Sequence, residues 1–149
     1  MLRHRFHIDK YNWNVTAYYA VTGYHLNEIM SNLQRIGCNG DYMREAYDNL
    51  SKNNVGSGLT YSNYLLRETV MVVALASSAK EFHKALVHEI RHVQSHIATA
   101  YNIDEKSEEV CYLLDDIVGL THDTIAPLIC NCCRDKHYGP TDRKRDLSV

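Results

Sequence analysis

The chain has 149 residues and a net charge of −2 with its nine histidines neutral; 45% of its residues are hydrophobic and 23% charged. This length suits one domain with a real core, and this composition excludes a wholly disordered chain. The near-neutral charge gives no electrostatic case for a nucleic-acid partner. No apolar run is long enough to cross a bilayer, and the N-terminus lacks the apolar segment of a signal peptide, so we expect a cytoplasmic protein without membrane association.

The first half of the chain predicts strands followed by two helices. In "WNVTAYYAV" one strand face would hold Trp13, Val15, Ala17, Tyr19 and Val21, and the other Asn14, Thr16, Tyr18 and Ala20. The preceding "RFHID" either begins this strand or forms a separate one. Helical spacing is found in "HLNEIMSNLQRIG", with Gly37 as its stop, and in "DYMREAYDNL", with Asp41 as its N-cap.

The second half predicts two more strands and then helices. "LTYSNY" and "ETVMVVALA" are the strands, and the second is so apolar that it is typical of a central strand, with a buried helix as the alternative. Ser78 and Glu81 have capping-box spacing and begin a long helix. A helix in "EEVCYLLDDIVG" should end at Gly119, and a short one should follow in "TIAPLICNCC". We expect one domain over residues 1–134 and a disordered tail over 135–149.

The long helix contains the string His88-Glu89-Ile90-Arg91-His92. Residues four apart lie one turn apart on the same face, so both histidines can turn a nitrogen toward one ion. Glu89 lies about 100° around the helix, beside the ion rather than on it. There it can take a proton from metal-bound water, which is the chemistry that this spacing serves. The alternative is a structural helix whose histidines are hydrogen-bonded to backbone or carboxylate groups.

The rest of this helix predicts its surroundings. An apolar stripe lies away from the histidines and is formed by Phe82, Leu86, Ile90, Val93 and Ile97. A helix with an apolar stripe and a histidine stripe should be covered on two sides. The Cα of His96 lies about 12 Å along the axis from that of His88, so we interpret His96 as structural, with a third-ligand role less favoured. We do not expect His83 to be a ligand.

A catalytic zinc needs a third protein ligand and an open position. Glu108 and Glu109 occupy the first turns of the next helix, and the chain reversal between the helices can bring a carboxylate back over the histidines. Spacing does not choose between the two glutamates. Acidic residues are also favoured in a first turn by the helix dipole alone.

At residues 69–120 the chain resembles the gluzincins, and in particular the compact zincin-like metallopeptidase domains of phage and bacterial mobile-element proteins. The resemblance consists of a strand, an H-E-x-x-H helix, a short turn and a helix that opens with glutamate. Its strongest element is the histidine motif. Its weaker element is "EEVCYLL", in which Cys111 stands at the position of a small residue before tyrosine.

The resemblance implies an α+β fold in which a short, mostly antiparallel sheet packs on the active-site helix and further helices. It implies that Zn²⁺ is held by His88, His92 and Glu108, with Glu109 as the alternative third ligand. Glu89 would be the general base of a zinc-dependent metallopeptidase that hydrolyses a peptide bond with metal-activated water.

The resemblance also carries expectations about the surroundings of the site. The strand "ETVMVVALA" would lie beside the cleft and pair with an extended peptide, and Tyr112 or His122 could stabilise the transition state. The partner would be a peptide or protein, and the protein could be virion-associated. The alternative function is a non-catalytic structural or assembly protein that keeps a zincin-like metal site.

The five cysteines do not form a disulfide framework, because their number is odd and three of them are clustered. The cluster is "CNCC", with Cys130, Cys132 and Cys133. It lacks the paired C-x-x-C spacing of structural zinc sites, so we expect buried free cysteines on a terminal helix rather than a second metal site.

Overall fold

The computed structural model describes residues 1–52, 56 and 58–133. In this part of the chain the strands and α-helices are, in order, β1 (Leu2–Ile8), β2 (Trp13–Val21), α1 (Leu26–Arg35), α2 (Gly40–Ser51), β3 (Gly58–Asn63), β4 (Glu68–Ala74), α3 (Ala79–Ala100) and α4 (Glu108–Ile125). The tail predicted over residues 135–149 lies outside the described residues. No helix within the described ranges has the length and apolar character needed to span a membrane.

The four strands form one mixed sheet in the order β1-β2-β4-β3. β1 pairs with β2 and β3 with β4 in antiparallel fashion, while β2 and β4 are parallel. The predicted α+β class with a small, mostly antiparallel sheet is therefore confirmed. "RFHID" belongs to the separate strand β1, and β4 is the central strand that its apolar sequence predicts.

Helices cover both faces of the sheet. On one face α3 and α4 pack against side chains of β1, β2 and β4; the larger members of this core are Trp13, Met71, Phe82, Ile90 and Ile117. On the other face α1 and α2 pack against a second core, which includes Tyr18, Ile29, Leu33, Leu50 and Val72. Because successive side chains of a strand point to opposite faces, β4 supplies both cores.

The predicted faces of β2 are wrong at its last two residues. The pairing register with β4 shifts between Tyr19 and Val21, and Ala20 has a φ of 55°. An extra residue in one strand reverses the alternation beyond it. Ala20 therefore packs in the α3 core and Val21 in the α1 core, the reverse of the predicted arrangement.

Two predicted helix ends also differ. α2 begins at Gly40 with Asn39 at its N-cap position, so Asp41 is not the cap but lies in the first turn, where it pairs with Arg44. α4 continues past Gly119 to Ile125, because Ile117, Thr121 and Ile125 prolong its buried stripe. The predicted short helix thus begins inside α4.

Candidate metal centre

Helix α3 is fixed in place at its start and along one face. The Ser78 hydroxyl accepts a hydrogen bond from the backbone N–H of Glu81 (3.1 Å), as the capping spacing predicts. The predicted apolar stripe from Phe82 to Ile97 is buried throughout. The position of the opposite face, which carries the histidines, is set by this packing.

His88 and His92 meet on that opposite face. Their Nε2 atoms are 3.1 Å apart and their ring centroids 4.8 Å apart. Two nitrogens bound to one tetrahedral zinc at about 2.05 Å would be separated by about 3.3 Å. The pair therefore fits one ion. Both rings are exposed, so the expectation that this face is covered is wrong for the two histidines.

Glu89 is buried, with 2% of its surface exposed, and its carboxylate faces the same site. The Thr60 hydroxyl of β3 donates to Glu89 Oε2 at 2.8 Å. Gly58 leaves room for this side chain, because a Cβ there would lie 2.9 Å from Glu89 Cγ and 1.9 Å from the carbonyl oxygen of Val72. A buried carboxylate held by a specific donor beside two imidazoles has the arrangement of a general base.

These groups line a cleft of about 360 Å³ at the β3 edge of the sheet. Its walls come from α2, β3 and α3: Tyr42, Glu45, Ala46, Asn49, Gly58, Leu59, Thr60, His88, Glu89, His92 and His96. The expectation that "ETVMVVALA" pairs with an extended peptide is wrong for its strand, because β4 is already paired with β2 and β3. The end of the segment, Ala74 to Ala76, does lie near His88, in a neighbouring pocket. The edge strand β3 lines the cleft itself.

Tyr42 is a cleft residue that the sequence did not indicate. Its hydroxyl donates to the backbone oxygen of Thr60 at 3.0 Å. Local burial raises the pKa of Tyr42 to about 12, and the charges of Cys38 and Glu89 add to the rise, so the hydroxyl stays protonated. Of the two residues suggested as transition-state stabilisers, Tyr112 and His122, neither lines the cleft; both are exposed on α4.

His96 is half-buried at the end of the cleft and belongs to a chain of hydrogen bonds. Its Nδ1 lies 2.8 Å from the Ser62 hydroxyl, which lies 2.7 Å from the Thr69 hydroxyl. The Trp13 indole N–H donates to Thr69 at 2.8 Å. Burial, together with the neighbouring His92, lowers the pKa of His96. These contacts agree with a structural role for His96.

Two carboxylates near the turn between α3 and α4 are engaged elsewhere. Glu105 accepts hydrogen bonds from Gln94 (3.1 Å) and Ser95 (2.9 Å). Glu109 accepts from the Tyr11 hydroxyl (3.0 Å) and lies 3.2 Å from Lys10 Nζ; hydrogen bonding to Lys10, then to Tyr11, lowers the pKa of Glu109.

Glu108 is the first residue of α4, and its side chain is exposed. In the described part of the chain, only Cys130, Cys132 and Cys133 form a group of three potential ligands whose ligand atoms all lie within 4.8 Å of one another. The histidine pair and Glu108 do not form such a group. The assignment of Glu108 as third ligand therefore stays a prediction.

The three clustered cysteines are partly or fully exposed, so the expectation that they are buried is wrong. The Sγ atoms of Cys130 and Cys132 are 2.9 Å apart, and those of Cys132 and Cys133 are 3.9 Å apart. Hydrogen bonds from Cys132 and Cys133 lower the pKa of the Cys130 thiol to about 7. This cluster could hold a metal ion.

No family model, curated protein or solved structure matches this chain. The functional inferences below therefore rest on the geometry of the chain's own residues.

Proposed function

We propose that the chain is a zinc-dependent metallopeptidase of the zincin type, with its active site in the cleft at the β3 edge. One observation carries the proposal. His88 and His92 present their Nε2 atoms at ligand spacing on a rigid helix, and the buried carboxylate of Glu89 lies beside them in the same cleft. Burying a carboxylate is costly, and the Glu89 carboxylate is held by the Thr60 hydroxyl at the histidine pair, where a general base is needed.

Each residue has a defined part in this proposal. His88 and His92 supply neutral nitrogen ligands, and bound Zn²⁺ would activate water and polarise the substrate carbonyl. Glu89 accepts the proton of the attacking water and passes it to the leaving amine. Thr60 keeps the Glu89 carboxylate oriented. The protonated Tyr42 hydroxyl would bind the substrate carbonyl oxygen in exchange for its bond to the Thr60 backbone oxygen.

The third ligand is assigned to Glu108 rather than Glu109. Glu109 is already bound by Tyr11 and Lys10, and releasing it would break both contacts. Glu108 is exposed and needs no such exchange. We expect Glu108→Gln to weaken zinc binding at least about tenfold, while Glu109→Gln leaves it unchanged. The opposite pattern in a zinc-chelator competition would assign the ligand to Glu109.

The substrate class follows from the strand beside the site. β3 is the edge of the sheet, and its residues Gly58–Thr60 line the cleft. An edge strand can pair with an extended chain, so an extended peptide would lie along β3 with its carbonyl near the histidine pair. The Thr60 backbone oxygen accepts from Tyr42 and would become free when that hydroxyl turns to the substrate.

The test combines zinc analysis with a peptide-library assay on the full chain. The parent protein should contain close to one zinc per chain and cleave peptides. Glu89→Gln should keep its zinc and lose cleavage by roughly a hundred- to ten-thousand-fold. His92→Ala should lose both, and His83→Ala, an exposed histidine on the same helix, should lose neither. A parent protein without zinc would contradict the proposal.

A second candidate function is a zinc-binding interaction protein without turnover. It is favoured by the absence, among the described residues, of a carboxylate grouped with the histidine pair. In that case the parent and the Glu89→Gln variant would both contain zinc, and neither would cleave any member of the library.

A further inference from the structure

The three thiols lie directly after a segment that is anchored in the core. Leu128 is buried and Ile129 packs against the α3 core. The backbone N–H groups of both residues donate to the carbonyl of Ile125, at 2.8 and 3.3 Å. The residues immediately before Cys130 are therefore held against the core, which fixes the position at which the cysteine cluster starts.

The sulfurs are gathered by the short backbone turn that follows. Cys130, Cys132 and Cys133 lie within four consecutive residues, and the Sγ separations along the cluster are 2.9 and 3.9 Å. All three sulfurs lie within 4.8 Å of one another, close enough to bind one ion.

We propose that Cys130, Cys132 and Cys133 form a three-thiolate site for a soft monovalent ion, copper(I). Three sulfurs around one ion at about 2.3 Å would be spaced by about 4 Å in a plane. The Cys130 and Cys132 sulfurs, 2.9 Å apart, are closer than this. A side-chain rotation of Cys132, which is exposed, would widen their separation.

The identity of the ion follows from ligand type and number. Thiolates select soft ions such as copper(I) and zinc(II) over harder ones. Structural zinc almost always takes four protein ligands, and the described residues gather three here. Three thiolates suffice for copper(I), a singly charged soft ion that is commonly two- or three-coordinate. This proposal does not depend on the zinc site of α3.

The test is an anaerobic titration of reduced, metal-free, full-length protein with copper(I) in competition with the chromophore bicinchoninate. The parent should take one equivalent of copper(I) from the chromophore. Cys132→Ser should bind at least about tenfold more weakly, and the triple variant with Cys130, Cys132 and Cys133 changed to Ser should take none. Far-ultraviolet circular dichroism checks that each variant is folded.

Two controls separate this site from the rest of the molecule. Cys111→Ser removes an exposed cysteine outside the cluster and should bind copper(I) like the parent. His88→Ala/His92→Ala removes the zinc pair and should also bind copper(I) like the parent. The proposal is overturned if the parent takes no copper(I), if the triple variant takes as much as the parent, or if the thiols take one zinc(II) but no copper(I).

Discussion

The histidine pair of α3 and the thiol cluster after α4 gather their ligand atoms in opposite ways. The histidines stand on a 22-residue helix whose other face is buried in the core, and β3 supplies the hydroxyls that contact Glu89 and His96 on the same side of the helix. The thiols lie within four consecutive residues, and this short stretch of chain places their sulfurs within 4.8 Å of one another. One site depends on tertiary packing, and the other depends on local chain geometry.

The two sites also differ in how many of the groups needed for metal binding and catalysis each one brings together. The short cysteine segment gathers three potential ligands at once, but they are at least partly exposed. Helix α3 brings together two potential nitrogen ligands, a buried carboxylate and a cleft, and a third ligand would have to come from another element. Catalytic sites need a held base and an open position, so the less complete of the two sites is the better candidate for chemistry.

The largest expected effect is the loss of zinc from the histidine pair, which shows which of the two sites binds it. His88→Ala/His92→Ala should lose the single zinc of the parent entirely, because both proposed nitrogen ligands are removed. Metal analysis after dialysis against micromolar zinc measures the loss. His83→Ala is the matched control and should retain the zinc. If the double variant keeps its zinc and the triple cysteine variant loses it, the zinc belongs to the thiols and the comparison is reversed.

The next effect tests how strongly the α3 site depends on packing against β3. Gly58→Ala would place a Cβ 1.9 Å from the Val72 carbonyl oxygen and 2.9 Å from Glu89 Cγ. Since backbone cannot move aside easily, we expect a loss of about 3 kcal/mol in the free energy of unfolding, the upper end for overpacking. Urea denaturation measures it.

Gly119→Ala is the control for this substitution. Nothing lies within 4 Å of a Cβ at Gly119, which is inside α4. Alanine is the better helix former, so this variant should gain about 0.5–1 kcal/mol. Equal stabilities of the two variants would mean that the chain around Gly58 accommodates a Cβ without cost, and that its close contacts with Val72 and Glu89 are not rigid.

A smaller effect comes from the single hydrogen bond between Thr60 and Glu89. Thr60→Val keeps the shape but removes the hydroxyl that donates to the buried carboxylate. We expect a loss of about 2 kcal/mol in unfolding free energy, typical of a bond to a charged group, and a lower cleavage rate with zinc retained. Thr60→Ser keeps the donor and should restore the rate. An unchanged cleavage rate and unchanged stability in Thr60→Val would mean that Thr60 has no role in the site.

The sequence predicts well whatever depends on local periodicity. The strand of Trp13–Val21, the central position of β4, the Ser78 cap and the stripe from Phe82 to Ile97 follow from spacing alone, and the structure confirms them. The meeting of His88 and His92 is likewise a property of a single helix.

The errors arise where distant parts of the chain meet. Tyr42 enters the cleft only because α2 reaches the edge strand β3, which no local pattern encodes. The bulge at Ala20 is set by pairing with β4. The order of the sheet makes β3 rather than β4 the edge strand that lines the cleft. The position of Glu108 relative to the histidines has the same origin, because it depends on the turn between α3 and α4.

The smallest expected effect concerns that turn. Hydrogen bonds from Gln94 and Ser95, with the nearby Arg91, lower the pKa of Glu105 in the folded protein. A carboxyl whose folded pKa is depressed contributes stability at pH values above its unfolded pKa, about 4.3, and loses that contribution as the pH falls through the folded pKa. The parent should therefore lose more stability between about pH 6 and pH 3 than Glu105→Gln does.

The difference should stay under about 1 kcal/mol, because both side chains of the Arg91–Glu105 pair are more than a third exposed and solvent screens them. Urea midpoints at several pH values measure it. Gln94→Ala removes the first of the three partners and should reduce the same pH dependence in part. Identical pH profiles for all three proteins would mean that Glu105 does not tie the turn to α3. The start of α4, and Glu108 with it, would then be free to shift toward the histidine pair without breaking this contact.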